Sequence, residues 1–124
     1  MRKSKKLPDT ELLVMQAIWA CPSPVSRIDI DAIIQETHPM ALTTLLTLLT
    51  RLAEKGFIRI EKKERSSLYY QLITKEDYLA EQSKRFLYDL CGGSISTFAN
   101  ALCDSGISKE DLEELRSLLE RNSL

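Results

Sequence analysis

Four threonines and one arginine recur at helical spacing between Ala41 and Gly56, in a stretch that is otherwise rich in leucine. At about 100° per residue, these polar residues share one side of a helix. They are Thr43, Thr44, Thr47, Thr50 and Arg51. Hydroxyl groups can hydrogen-bond phosphates and base edges, threonine methyls can contact the thymine methyl, and arginine can form two hydrogen bonds with guanine. The pattern predicts a helix that enters the DNA major groove, unless the threonines simply fill the exposed side of a core helix.

The opposite side of this helix is apolar, and we expect it to face a hydrophobic core. Its residues are Leu42, Leu45, Leu46, Leu48, Leu49, Leu52 and Ala53. Gly56 follows the helix and can end it, because glycine tolerates a positive φ at that position.

Two further helices are predicted before this one. Apolar residues recur at helical spacing between Pro8 and the two prolines of residues 21–24, which indicates a first helix. The pattern Ser26-x-x-Asp29 is typical of a helix start and begins the second helix. The isoleucines of the second helix are predicted to face inward, and they are Ile28, Ile30, Ile33 and Ile34.

After Gly56 the apolar residues alternate with polar ones, as they do in β-strands. Residues 58–61 and 68–72 are predicted to pair as a hairpin across a charged turn at 62–67. The basic residues of the turn are predicted to contact phosphates, and they are Lys62, Lys63 and Arg65. Three helices followed by a hairpin with a basic tip form a winged helix-turn-helix, in which the third helix recognises DNA.

From residue 75 the sequence returns to helical periodicity, with start patterns at Thr74-x-x-Asp77 and Ser108-x-x-Asp111. A helical tail of about 50 residues cannot bury all of its own apolar side chains. A second copy of the tail is the predicted partner, in a two-fold dimer, whereas the alternative is a tail folded back on its own winged domain. The predicted dimer contacts are Tyr78, Phe86, Leu90, Ile95, Phe98, Leu102, Leu112, Leu115 and Leu119.

The predicted fold is therefore mainly α with a small β-hairpin. A winged helix-turn-helix domain occupies residues 1–74, and a helical dimerisation region occupies 75–124. Charge follows a similar division: residues 1–75 carry 12 Lys and Arg against 8 Asp and Glu, a net +4, whereas 76–124 carry 5 against 10, a net −5. The basic first part, with its N-terminal arm of Arg2, Lys3, Lys5 and Lys6, favours contact with a polyanion.

Composition argues against several other classes of protein. One histidine, four glycines and the lack of a nucleophile or phosphate-binding motif argue against an enzyme. No apolar run is long enough to cross a bilayer and nothing after Met1 resembles a signal peptide, so we expect a cytoplasmic protein with no membrane partner. Cys21, Cys91 and Cys103 form no short-spaced pair, so we expect reduced thiols and neither a metal nor another cofactor.

These motifs together resemble the BlaI/MecI/CopY family of transcriptional repressors over nearly the whole chain. The residues that carry the resemblance are Glu11 to Met15, Ile18-Trp19, Thr44, Thr47, Leu49 to Leu52, Lys55-Gly56, Arg65, Tyr69-Tyr70, Tyr78, Ser83 to Leu87, Gly92 to Ser94 and Leu112 to Leu115. The resemblance implies a homodimer that binds a dyad-symmetric operator in double-stranded DNA and blocks transcription. It also implies that Thr44, Thr47 and Arg51 contact that DNA.

Three positions depart from the family's pattern in or beside the recognition helix. Thr43 stands where a lysine is common, Leu46 where a polar or basic residue is common, and Ala41 where a serine usually caps the helix. Alanine is the poorer N-cap by about 1 kcal/mol. These departures leave the operator sequence open, and a winged-helix module that binds protein instead of DNA is the alternative function.

The family resemblance also implies two mechanisms of induction. In the β-lactam branch, a membrane sensor and a linked protease cause cleavage within the tail. Asn100-Ala101 aligns with the cut position, although the family has phenylalanine where Ala101 stands. In the copper branch, C-terminal Cys-x-Cys motifs bind metal, whereas Cys91 and Cys103 here would need partners from a second chain and are expected to be buried structural thiols. β-Lactam-type signalling is therefore favoured over a copper or other soft-metal response.

Overall fold

The computed structural model describes residues 6–122, so Arg2, Lys3 and Lys5 of the predicted basic arm lie outside the described residues. The chain forms two compact units, one that ends at Gln82 and one that begins at Ser83. The boundary lies within a helix, further along the chain than the predicted boundary after residue 74.

The first unit contains three helices, three strands and the beginning of a fourth helix. These elements are α1 (Asp9–Trp19), β1 (Val25–Ser26), α2 (Arg27–Thr37), α3 (Leu42–Glu54), β2 (Ile58–Lys63), β3 (Ser66–Gln71) and α4 (Lys75–Arg85). The first three helices and the following hairpin occur in the predicted order.

Apolar side chains from each of the first three helices meet in one core. The most completely buried of them are Val14, Met15, Ile18, Ile30, Ile34, Leu45, Leu49 and Leu52. Burying an aliphatic side chain of this size contributes about 1.5–3 kcal/mol relative to leaving it exposed. The core is therefore what holds α3 in place, with its polar side outward.

Side-chain caps confirm the three predicted helix starts. In each of them a hydroxyl oxygen accepts a hydrogen bond from the backbone N–H three residues later, at 3.0–3.2 Å. The pairs are Ser26 with Asp29, Thr74 with Asp77, and Ser108 with Asp111. In contrast, the N-cap of α3 is Ala41, whose methyl group cannot accept such a bond.

The wing belongs to a three-stranded antiparallel sheet of order β1-β3-β2, not to an isolated hairpin. The added strand β1 pairs Val25 with Tyr69, and at two residues it is too short to show an alternating pattern in the sequence. The turn is also shorter than predicted. β2 continues through Lys63 and β3 begins at Ser66, so the connection is Glu64-Arg65 alone.

The strand β3 turns Tyr69 toward the core. Ile60 lies opposite Tyr69 in the register, so both side chains are on the same face of the sheet. Tyr69 is buried, and this burial raises the pKa of its phenol. On the other face Tyr70 is half-buried, with the Arg59 guanidinium 4.1 Å from the centre of its ring.

Three residues predicted to face inward are exposed instead. Leu42, Leu46 and Ile28 retain 45%, 40% and 70% of their accessible surface. A helix packed on one side buries a stripe about 100° wide, and the leucines of α3 cover a wider arc than that. Ile28 lies in the first turn of α2, and the buried line of that helix runs through Ile30 and Ile34 instead.

Tyr78 is part of the core of the first unit, which corrects its assignment as a dimer contact. Its side chain is buried, and its hydroxyl oxygen accepts a hydrogen bond of 2.9 Å from the Leu7 N–H. Its ring lies 5.5 Å from that of Trp19 and 5.7 Å from that of Phe57, centre to centre. The start of α4 therefore belongs to the first unit, and the contacts of Tyr78 are made within that unit.

The second unit begins in the last turn of α4 and continues as a π-helical turn, Phe86–Leu90. A tight connection follows in which Gly92 and Gly93 have φ angles of 62° and 79°, conformations that favour glycine. Ser94 then caps the next helix by accepting a 3.1 Å hydrogen bond from the Thr97 N–H. The remaining helices are α5 (Ile95–Asp104) and α6 (Lys109–Asn122).

Candidate nucleic-acid interface and tail groove

The polar residues predicted to contact DNA from the third helix lie on the exposed side of α3. Their side chains, Thr43, Thr44, Thr47 and Arg51, are all solvent-exposed, and Thr50 is exposed beside them. The buried side of the same helix consists of Leu45, Leu48, Leu49 and Leu52. The helix therefore presents its threonines and arginine on a surface that the core fixes from behind.

Two of these threonines use their hydroxyl hydrogens within the helix. Thr47 Oγ1 donates to the Thr43 carbonyl oxygen at 2.9 Å, and Thr50 Oγ1 donates to the Leu46 carbonyl oxygen at 3.0 Å. Because a hydroxyl group has a single hydrogen, both oxygens retain only the ability to accept. In this conformation, neither hydroxyl group can donate a hydrogen bond to a phosphate. The sequence had suggested that such a contact was available to them.

An ion pair joins the end of α3 to α1. The Lys55 ammonium, at the residue after α3, contacts the Glu11 carboxylate in the first turn of α1. The Glu11 side chain is 5% exposed and that of Lys55 is 31% exposed. This contact neutralises a carboxylate that is otherwise buried, and it fixes the end of the helix relative to the core.

The wing carries the predicted basic residues, and a carboxylate lies among them. Lys62, Lys63 and Arg65 are all exposed. Glu61 accepts a 3.1 Å hydrogen bond from Arg59, and Lys63 Nζ lies 3.5 Å from its other oxygen. The hydrogen bond from Arg59 holds the pKa of Glu61 below its usual range, so this carboxylate remains charged and offsets part of the wing's positive charge.

The wing and the start of α2 enclose a cleft of about 240 Å³. Its lining includes the cations Arg27, Lys62 and Arg65, together with Glu64 and three serines. The sequence analysis did not select Arg27, because a single arginine after a helix cap carries no distinctive pattern. The fold makes it part of a cleft that carries three cations and one carboxylate, between the start of α2 and the wing.

The second unit presents an apolar groove of about 580 Å³. The groove is lined by Ser83, Lys84, Leu87, Tyr88, Ile95, Phe98, Ala99, Leu102, Leu115 and Leu119. Phe86 supports it through a ring contact with Phe98, 5.3 Å between centres. Along the described chain, neither α5 nor α6 contains a buried residue. The groove therefore brings together five of the predicted dimer contacts, whereas Leu90 is exposed elsewhere and Leu112 is half-buried outside the lining.

The remaining predicted sites lie in the same unit. Asn100 is exposed and Ala101 is half-buried, both within α5. Cys91 is buried as expected, whereas Cys103 is exposed, contrary to expectation, because it lies on the outer side of α5.

Among residues 6–122, no three His, Cys, Asp or Glu side chains are grouped so that they could hold a metal ion. None of the helices in that range has the length and apolar character needed to span a bilayer.

The first unit is a winged helix-turn-helix. α2 and α3 form the helix-turn-helix, and β2 and β3 form the wing. The chain belongs to the penicillinase repressor family, whose model matches residues 7–121.

Named relatives match nearly the whole chain. The penicillinase repressor of Bacillus licheniformis is 29% identical over 98% of this chain and 95% of its own length. The methicillin resistance regulatory protein MecI of Staphylococcus aureus strain N315 is 32% identical over 96% of this chain and 97% of its own length.

Two solved structures resemble the winged part of the chain. One is the DNA-binding domain of the repressor BlaI, with a TM-score of 0.54. The other is the monomeric form of Bacillus licheniformis BlaI in complex with the blaP half-operator, with a TM-score of 0.52. Each is 31% identical, covering 63% of this chain and 94% of the solved chain.

Proposed function

We propose that this chain is a homodimeric transcriptional repressor that binds a dyad-symmetric operator in double-stranded DNA. The observation that carries the proposal is the exposed face of α3, where Thr44, Thr47 and Arg51 lie on a winged-helix fold with a basic wing. The relative whose winged domain resembles this one, Bacillus licheniformis BlaI, is bound to a half-operator. The same mode of binding is assigned to α3 and the wing of this chain.

In this proposal α3 lies in the major groove and contacts base edges, while basic side chains contact the flanking backbone. Thr43 and Thr44 lie in the first turn of α3, and Arg51 lies further along the same exposed face. Lys62, Lys63 and Arg65 bind phosphates from the wing. The net +4 of residues 1–75 supports binding to a polyanion.

The tail is proposed to hold two copies together. An apolar groove on a unit whose last two helices bury no residue of their own is best covered by a second copy of the same unit. A two-fold dimer then places two α3 helices on half-sites about 34 Å apart. Phe98, Leu102, Leu115 and Leu119 are the proposed central contacts.

Footprinting on the promoter DNA upstream of the chain's own gene tests the DNA-binding surface. The triple variant Thr44/Thr47/Arg51→Ala is expected to lose specific protection, with affinity reduced about 100-fold or more, because each specific base contact contributes about 1–3 kcal/mol. The control Thr97/Arg116→Ala removes the same side-chain types outside α3 and is expected to protect as the wild type does. Unchanged protection by the triple variant contradicts the assignment of α3. A wild-type chain that shifts no promoter DNA at low salt favours the protein-interaction module instead.

Sedimentation tests the dimer separately. Phe98→Asp and Leu102→Asp each place a carboxylate in the groove, and each is expected to produce monomers that bind the promoter much more weakly. Ser117→Asp adds the same charge on α6 outside the groove lining and is expected to remain dimeric. If both groove variants remain dimeric, Phe98 and Leu102 are not part of the dimer interface.

Inducibility is proposed from the family resemblance, with β-lactam-type signalling favoured over soft metal. A cut between Asn100 and Ala101 would separate Leu102 and all of α6 from the rest of the groove, and the dimer would be lost. Mass spectrometry of the protein from β-lactam-treated host cells is expected to detect a fragment that ends at Asn100. An intact chain that instead leaves DNA on addition of copper, and fails to do so after Cys91→Ser, favours the metal response.

A further inference from the structure

The exposed side of α3 carries two leucines beside its threonines, and we infer that they select thymine methyl groups in the operator. Leu42 and Leu46 are thus specificity-determining residues. The inference rests on the proposed DNA-binding function, and it adds the chemistry by which the helix distinguishes base pairs.

Both leucines are available to a ligand in the folded chain. Leu42 and Leu46 retain 45% and 40% of their accessible surface, whereas the neighbouring Leu45 and Leu49 are almost completely buried. Residues four apart lie on the same side of a helix, about 6 Å apart along its axis. The two side chains therefore form a continuous apolar strip along one margin of the exposed face.

Two of the threonines next to this strip, Thr47 and Thr50, are acceptors and not donors. The hydroxyl hydrogens of Thr47 and Thr50 are used in hydrogen bonds to the carbonyl oxygens of Thr43 and Leu46. Phosphate oxygens, guanine O6 and N7, and thymine O4 are themselves acceptors, so they are poor partners for these two oxygens. The amino groups of adenine and cytosine are donors and fit them.

An A·T pair presents both of the features that this surface can use. In the major groove thymine is the base that carries a methyl group, and its adenine partner carries an amino donor. Leucine side chains on the strip can cover the methyl group, while a threonine oxygen accepts from the adenine amino group. A cytosine has the amino donor without the methyl group, so A·T pairs are favoured over G·C pairs where the strip meets the groove.

A thymine-to-uracil exchange isolates the methyl group. Duplexes that bind the wild-type full-length chain are selected from a random library, and one selected duplex is then amplified with either dTTP or dUTP. Burial of one CH₂-sized group changes an equilibrium constant about fourfold. With one methyl group contacted in each half-site, uracil is expected to weaken wild-type binding about 15-fold.

Two variants show whether the leucines are responsible. Leu42/Leu46→Ala is expected to reduce the ratio of uracil to thymine dissociation constants to about fourfold or less, and alanine supports the helix. Leu79→Ala removes an exposed leucine from α4 and is expected to keep the wild-type ratio. Circular dichroism confirms that each variant is folded before its ratio is interpreted.

The outcomes separate this inference from the function on which it rests. Equal wild-type binding to thymine and uracil duplexes overturns the inference while the repressor function stands. A ratio that stays at the wild-type value in Leu42/Leu46→Ala overturns it as well, because another group then senses the methyl. If the wild-type chain selects no duplex at all, the proposed function fails and the inference fails with it.

Discussion

The ion pair between Glu11 and Lys55 provides a quantitative test of how α3 is held in the fold. The Glu11 carboxylate is almost completely buried in α1, and the ammonium of Lys55 at the end of α3 neutralises it. Breaking a fully buried ion pair by removing one partner costs about 3–5 kcal/mol. Because water reaches this pair from the partly exposed Lys55 side, we expect Lys55→Met to lower the free energy of unfolding by about 2 kcal/mol.

The two single variants are expected to lower the free energy of unfolding by different amounts. Glu11→Gln leaves an ammonium that can turn to solvent, so its expected cost is smaller, about 1 kcal/mol. The double variant leaves no unpaired charge in the core, and its cost is expected to be no larger than that of Lys55→Met alone. The wild type, the two single variants and the double variant form a double-mutant cycle. This cycle is expected to give a coupling energy between Glu11 and Lys55 of about 1–2 kcal/mol.

Urea unfolding measures all four proteins of the cycle, and Lys55→Met is also expected to lower Tm by about 10 °C. The control cycle uses Arg116 and Glu120, which also form an ion pair but are 72% and 69% exposed, and its coupling is expected to stay below about 0.5 kcal/mol. If the effects of Glu11→Gln and Lys55→Met add to within about 0.5 kcal/mol, the ion pair does not hold α3 and the reasoning is refuted.

Three further outcomes follow from single contacts. Tyr78→Phe removes the acceptor of the Leu7 N–H and is expected to lower the free energy of unfolding by about 1 kcal/mol in urea titrations; an unchanged midpoint contradicts this. Arg27→Ala is expected to weaken binding to every duplex alike and to lower the slope of log K against log[salt] by about 1; loss of binding to one sequence alone contradicts a phosphate contact. Ser94→Ala removes the cap of α5 and is expected to speed amide hydrogen exchange in that helix, with a cost of about 1 kcal/mol; unchanged exchange contradicts the cap's role.

Local patterns were sufficient to predict the first three helices and the wing. Ser26, Thr74 and Ser108 marked three helix starts correctly, because a cap is a contact between residues three apart in the chain. The change from helical to alternating periodicity after Gly56 located the wing, because this periodicity is also a property of residues close together in the chain. The polar face of α3 was also predictable, since side chains on one helix keep their relative directions in any fold.

Contacts between distant segments could not be predicted in this way. Tyr78 is in the first unit's core because Leu7, Trp19 and Phe57 surround it there, and the periodicity of α4 does not contain that information. The strand β1 was missed because two residues pair with β3 from more than 40 positions away. Arg27 was not selected as a neighbour of the wing for the same reason, because the two are far apart in the chain and only folding brings them together.

Spacing along single segments was enough to predict the order of the three helices and the wing, three helix caps, the threonine-and-arginine face of α3 and the apolar character of the tail. Which leucines of α3 are covered became clear only from the folded chain. Leu42 and Leu46 have the same chemistry as Leu45 and Leu49, and they differ only in whether another part of the chain packs over them. Burial depends on the neighbours that folding brings together, and in α3 it separates the residues that hold the helix from those that remain on its exposed face.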